Sequence, residues 1–257
     1  MKRTAWLPFG APVGGQPKLL CLPHAGAGAS VYRSWAEGLE RRGVAGCPVQ
    51  PPGRERRLPE APFTDVGPLA RELAREIVTT VAGPFALLGH STGALSAFET
   101  ARELRRIGGP QPLHLFVSGR GAPQIPLARH DLTALSLTEL AEVLRRLGGT
   151  PEAVLSEPSL LAALQPVLAA DFRVNEIYDH RPEPPLATPV TAFTGSLDTG
   201  ADLPVVSAWR TQTSASFRLH VLSGGHFALF EHKDLVHEHI AEALAAEPAP
   251  PTALHRS

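Results

Sequence analysis

The sequence predicts an α/β protein with a mostly parallel central sheet, helices on both faces and a helical insertion between two of its strands. Three observations predict it. Strand-length apolar runs alternate with segments of helical period from residue 18 to about residue 117. The short runs are continuously apolar, as strands covered on both faces must be; a strand with one wet face would alternate. From about residue 124 to 178 no strand-like run occurs, and the strand pattern resumes only at residues 189–195.

Residues 18–22 form an apolar run closed by Pro23, a buried first strand. The loop His24-Ala25-Gly26-Ala27-Gly28-Ala29 is made of small residues. Residues 31–42 carry a helical pattern with Trp35 and Leu39 on one side, and residues 44–50 are a second strand ended by Pro51, Pro52 and Gly53. Residues 66–82 show the clearest helical period. Val66, Leu69, Ala70, Leu73, Ile77 and Val81 share one face, and Arg71, Glu72, Arg75 and Glu76 lie opposite. A strand at 85–89, a helix at 93–107 and a strand at 113–117 follow. Helical segments at 137–147 and 159–174 make up the insertion of about 124–178. Strands at 189–195 and 217–222 and a helix at 233–245 complete the expected order.

Composition excludes several classes. The chain has 257 residues, 43% hydrophobic and 19% charged, which suits one folded α/β domain over 1–257 rather than a disordered chain. A net charge of −1 argues against electrostatic capture of nucleic acid or of an anionic membrane. Cys21 and Cys47 sit in apolar strand-like runs and are expected as buried reduced thiols; they offer neither a disulfide framework nor metal-ligand spacing. The basic opening is interrupted by Pro8, Gly10 and Pro12, which leaves no apolar core for a secretory leader. No apolar run approaches the ~20 residues of a membrane span. A cytoplasmic monomer is expected. Residues 1–17 and 247–257, rich in Pro, Gly or Ala, are expected to be flexible, the first as a loosely docked arm.

The chemistry centres on Gly89-His90-Ser91-Thr92-Gly93, a Gly-x-Ser-x-Gly sequence with a strand before it and a helix after it. A serine pushed out of a sheet by so tight a turn needs flanking residues without side chains. The helix that starts there aims backbone N–H groups and its positive dipole end at the site. This is the context of a nucleophile in the α/β-hydrolase fold, where the acid and then the histidine follow the serine in the chain. Ser91 is therefore the expected nucleophile. Of eleven histidines, His226 follows the last strand directly and is the expected base. His90 is expected to pack locally, and His232, His237 and His239 fall on or beside the last helix, read as surface. Asp198, in the loop after strand 189–195, is the expected acid, with Asp202 as its rival; Asp131, Asp171 and Asp179 are read as caps or solvated charges of the insertion. An oxyanion hole needs two backbone donors. Thr92 N–H, just after the serine, is one; Ala25 N–H, in the loop after the first strand, is the other.

Together, Leu22-Pro23-His24-Ala25-Gly26, Pro52-Gly53-Arg54-Glu55-x-Arg57, Gly89-His90-Ser91-x-Gly93, Gly195-x-x-Asp198 and Gly225-His226-Phe227 resemble the type II thioesterases that accompany polyketide and nonribosomal peptide synthases. The likeness runs from about residue 18 to 240, and the Pro-Gly-Arg stretch separates this family from general esterases. It implies acyl or aminoacyl thioesters on the phosphopantetheine arm of an acyl or peptidyl carrier protein as substrates, removal of wrongly loaded units as the task, and a lid that shapes the channel. It implies no metal and no cofactor beyond that arm. Thr92 stands where methionine is usual, Ala27 where a second glycine is, and Ala228 where a second aromatic is; these bear on acyl preference. Arg54 and Arg57 have two readings, carboxylate pairs that hold their loop or contacts to the arm's phosphate. A carboxylesterase or acyltransferase of the same fold acting on a free small molecule, or an idle fold used for binding, are the other readings.

Overall fold

The computed structural model describes residues 3–10, 14–126 and 135–246. Strands β1 (Lys18–Leu22), β2 (Ala45–Pro48), β3 (Phe85–His90), β4 (Leu115–Ser118), β5 (Val190–Gly195) and β6 (Phe217–Leu222) form one sheet in the order β2-β1-β3-β4-β5-β6. Every neighbouring pair is parallel. Parallel pairing forces a crossover between successive strands. These are supplied by α1 (Ala36–Glu40), α2 (Val66–Thr80), α3 (Thr92–Arg106), the lid helices α4 (Leu137–Leu147), α5 (Glu152–Leu155) and α6 (Pro158–Glu176), and α7 (Leu203–Ser207). Two further helices, α8 (Ala228–Glu231) and α9 (Lys233–Ala246), follow β6.

Side chains of β1 alternate between two separate cores, as the period of two requires. Leu20 and Leu22 join Phe85 and Leu87 under α2 and α3, where Leu73, Ile77, Phe98 and Trp209 are buried. Leu19 and Cys21 join Ala86 and Leu88 on the other face with Trp35, Leu39, Val236 and Ile240. Each fully buried leucine contributes roughly 1.5–3 kcal/mol of transfer free energy. Because β2 and β3 flank β1 on opposite sides, the chain reverses direction of travel across the sheet there. A crevice opens outside the carboxyl ends of strands at such a point, which is where α/β sheets bind ligands. The loops after β1 and β3 both lie at it.

The lid has a small core of its own, in which Leu140, Leu144, Leu155, Leu161 and Leu168 are buried together. Helix α4 begins with a capping box, Ser136 and Glu139 each bonding the other's backbone N–H, and stops at Gly148 with φ 79°. Helix α6 begins at Pro158, whose missing N–H costs nothing at that position.

Four expectations change. Residues 31–42 are not one helix: a 3-10 segment, Ala29–Trp35, precedes the short α1. Helices α5, α7 and α8 were not anticipated, since four or five residues are too few to show a period. The opening arm is not loose over its described part: Trp6 is 6% and Leu7 1% exposed, both in the α2–α3 core, with Arg57 over the Trp6 ring at 4.7 Å. Last, His237 is buried beneath Trp35, ring centroids 4.8 Å apart, rather than on a surface. The expectations for Asp131 and for the tail 247–257 fall outside the described residues, as do residues 127–134 of the insertion.

Candidate active site

Ser91 closes β3 and opens α3 with φ 55° and ψ −120°, a conformation that costs a non-glycine residue about 1–3 kcal/mol. The surroundings hold it there: its N–H donates to Ser118 O at 2.8 Å, and Ala94 N–H donates back to Ser91 O at 2.9 Å. A Cβ at Gly93 would lie 2.6 Å from Pro23 O and nearer still to Leu22 O, and one at Gly89 would run into the Gly93 backbone. The two glycines thus let α3 pack directly against β3 and the end of β1.

The loops after β5 and β6 meet in the same way. A Cβ at Gly195 would strike the backbone of Gly224 and Gly225. Ser196 N–H donates to Leu222 O at 2.8 Å and Leu197 N–H to Gly224 O at 2.9 Å. This join brings His226 Nδ1–H to Asp198 Oδ2 at 2.8 Å. Asp198 Oδ1 accepts from Gly200 N–H at 3.0 Å and Ala201 N–H at 3.2 Å. Burial acts to raise the Asp198 carboxyl, but its bond to His226 and the two amides outweigh that and hold it below the usual carboxylate range. The rival, Asp202, is occupied at the start of α7, where it accepts from Val205 N–H. The expected acid and base therefore meet, and the rival does not take part.

Ser91 and His226 line one cavity of about 180 Å³ with Thr92, Gly119, Arg120, Phe172 and Asn175. Among the described residues Ser91 Oγ makes no hydrogen bond to His226; such bonds commonly tighten only with substrate in place. A larger groove of about 630 Å³ reaches His226 from the side of Val143, Arg146, Phe172 and Leu197. The N–H groups of Thr92 and Ala25, the two expected oxyanion donors, are bonded to no acceptor among the described residues, and Ala25 and Ser91 line a common pocket.

Three imidazoles cluster here. His90 and His226 rings lie 4.9 Å apart, and His24 and His90 5.9 Å. Phe227 packs against all three. Burial pushes His24 down to about 4 and His90 well below the ordinary histidine value, with the neighbouring His226 adding to both. Neutral His24 donates Nδ1–H to Ala25 O at 3.0 Å, and His90 pairs with Ser118 Oγ at 3.1 Å, which is the local role expected of it.

The two arginines of the Pro-Gly-Arg loop hold carboxylates. Arg54 forks onto Asp171 on α6, Nη1–Oδ2 2.5 Å and Nη2–Oδ1 3.0 Å, with both side chains buried. Arg57 pairs with Glu60 and donates to Gln50 O. Asp171 is thus neither cap nor solvated charge, and it also accepts Gly26 N–H at 2.8 Å. Asn175, one turn on, donates to Thr92 Oγ1 at 2.7 Å and accepts from Arg120. Asp171, Asn175 and Arg120 were missed in sequence. The available signal was a carboxylate on the face of α6 that also carries Leu168 and Val174, where solvation is impossible. Among the described residues no cluster of three or more His, Cys, Asp or Glu side chains could hold a metal.

Comparison with known proteins places the chain in a family. The thioesterase domain family model matches residues 17–245. The chain is 40% identical over 233 residues to the gramicidin S biosynthesis protein GrsT of Aneurinibacillus migulanus, covering 91% of each. It is 40% identical to the solved thioesterase RedJ from the prodiginine pathway of Streptomyces coelicolor, with 94% of each chain covered and a TM-score of 0.80. Against the type II thioesterase BorB from the borrelidin biosynthetic cluster the identity is 37% and the TM-score 0.86, over 95% of this chain and 99% of that one. With the α/β-hydrolase architecture of these structures, the chain belongs to the thioesterase family, among its type II members, and is a hydrolase acting on thioesters.

Proposed function

We propose that this enzyme removes acyl or aminoacyl groups from the phosphopantetheine arm of carrier proteins in polyketide or nonribosomal peptide synthesis, through an acyl-enzyme on Ser91. The observation that carries it is the Asp198–His226 pair facing the cavity that holds Ser91. Asp198 fixes His226 with its proton on Nδ1, leaving Nε2 to take the Ser91 proton as the hydroxyl attacks the thioester carbonyl. Thr92 N–H and Ala25 N–H bind the oxyanion that develops. The arm's thiol leaves with the proton from His226, and His226 then activates water to free the acid from Ser91. No step calls for a metal or an organic cofactor.

The cavity beside Ser91 suits a short acyl group, and the larger groove, with Arg146 exposed along it, suits the arm. Arg54 and Arg57 are committed to Asp171 and Glu60, which favours their structural reading over contact with phosphate. No described helix is long and apolar enough to cross a membrane. The proposed setting is the cytoplasm, where a monomer meets carrier domains. Acid release from acyl-phosphopantetheinyl carrier proteins, run beside matched oxygen esters, tests the reading. Rapid release from carriers with slow ester cleavage is expected. Loaded carriers left intact while small esters are cut would mean an esterase for a free small molecule.

A further inference from the structure

Helix α6 presents Leu168, Asp171 and Asn175 on one face, at spacings of three and four residues. That face touches both sides of the site. Leu168 packs against the loop after β1: Ala25 borders the lid core that holds Leu168, and a Cβ at Gly26 would come 2.7 Å from Leu168 Cδ2. Asp171 accepts Gly26 N–H at 2.8 Å while His24 donates to Ala25 O at 3.0 Å, so the peptide joining Ala25 to Gly26 is gripped at both ends. Arg54, bidentate to Asp171, also donates to Ala27 O at 3.3 Å and to Pro52 O at 3.0 Å. On the other side, Asn175 donates to the Thr92 hydroxyl at 2.7 Å.

A buried ion pair is a poor device for stability, since removing two charges from water offsets most of their attraction. What a bidentate fork supplies is fixed geometry. Here the fork ties α6 to the loop after β1, on which Ala25 N–H sits, and to Arg54 after β2; Asn175 ties the same helix face to Thr92 at the start of α3.

We infer that α6 sets the oxyanion hole: Asp171 and Asn175 are positioning residues that hold the Ala25 and Thr92 donors at working distance, so the hole is complete only with the lid helix seated. This rests on the reading of those two N–H groups as the oxyanion donors. It also gives Thr92 a role through its hydroxyl, beyond its backbone.

The test compares Asp171→Asn and Thr92→Val with the parent enzyme. It reads kcat and KM on a short acyl-pantetheine thioester and the Ki of a trifluoromethyl ketone, which forms a tetrahedral oxyanion on the serine. A misplaced donor costs about 10–100-fold. The expected result is a kcat loss of about that size with a matching rise in Ki and KM within about threefold. Thr92→Val keeps the backbone donor and leaves no buried charge unpaired, so it carries the test if Asp171→Asn does not fold. Folded variants with kcat and Ki within about twofold of the parent would overturn the inference, as would an effect confined to KM. Failure of the underlying reading looks different: the parent itself would resist the ketone.

Discussion

Replacing Asp198 by asparagine tests the chemistry with the least structural change. The carboxylate has one oxygen on His226 Nδ1–H at 2.8 Å and the other on the amides of Gly200 and Ala201 at 3.0 and 3.2 Å. An amide must choose. Turning its oxygen toward the two backbone donors keeps two bonds; turning it toward His226 keeps one and sets the NH2 against two N–H groups. The first orientation wins and places the NH2 against His226 Nδ1, which must then accept. The imidazole proton moves to Nε2, and a protonated Nε2 cannot take the Ser91 proton. In serine hydrolases with such a triad this tautomer error lowers kcat by about 10⁴, equivalent to about 5.4 kcal/mol at 1.36 kcal/mol per decade. The stability cost is smaller, about 1.5–3 kcal/mol for a hydrogen bond to a charged group. Urea unfolding measures the second quantity, and steady-state hydrolysis of an acyl-pantetheine thioester measures the first. A folded Asp198→Asn enzyme within about tenfold of the parent kcat would mean that Asp198 does not set the tautomer on which turnover depends. Asp202→Asn should leave kcat unchanged, since Asp202 is occupied at the start of α7.

Three other outcomes follow from the structure. Gly93→Ala would press a methyl group onto the Leu22 and Pro23 carbonyls and should cost at least about 3 kcal/mol, read as a lower Tm; a change within about 1 kcal/mol would show that β1 and α3 can part. Trp6→Ala removes a ring stacked on Phe63 and covered by Arg57 and should cost about 3–5 kcal/mol in urea, whereas a loose arm would give nearly nothing. His24, partly buried, and His90, fully buried, are held neutral, with pKa values pushed below the ordinary 6.5. The unfolded chain therefore binds protons near pH 6.5 that the folded chain refuses until near pH 4 or below. Stability should be flat above about pH 7 and fall as the pH drops toward 4, by up to about 1.4 kcal/mol per pH unit for each histidine. Denaturant titrations across that range check it, and a flat profile from pH 7 to 5 would contradict it.

The succession of strands along the chain and the meeting of Asp198 with His226 near Ser91 were readable because each leaves a local mark. Continuous apolar runs announce buried strands, Gly89 and Gly93 bracket Ser91, and His226 and Asp198 each follow a strand end directly. Asp171 left only a faint mark, its place on the apolar face of α6 between Leu168 and Val174. Its partner Gly26 lies 145 residues away, and the partner of Asn175, Thr92, lies 83 away. Their helix gave a readable period, but a lone charge on it looked like any solvated one. Trp6 misled for the same reason: the Pro- and Gly-rich stretch around it suggested looseness, while its burial depends on Phe63 and Arg57 some fifty residues on.

In the proposed mechanism the acyl group passes through Ser91. Intact-protein and peptide mass spectrometry after brief mixing with a short acyl-pantetheine thioester, on the parent enzyme and on Ser91→Ala, detects that intermediate. An added acyl mass confined to the peptide bearing Ser91, absent from the variant together with turnover, is the expected result. Turnover that survives in Ser91→Ala, or an acyl mass on another residue, would contradict it.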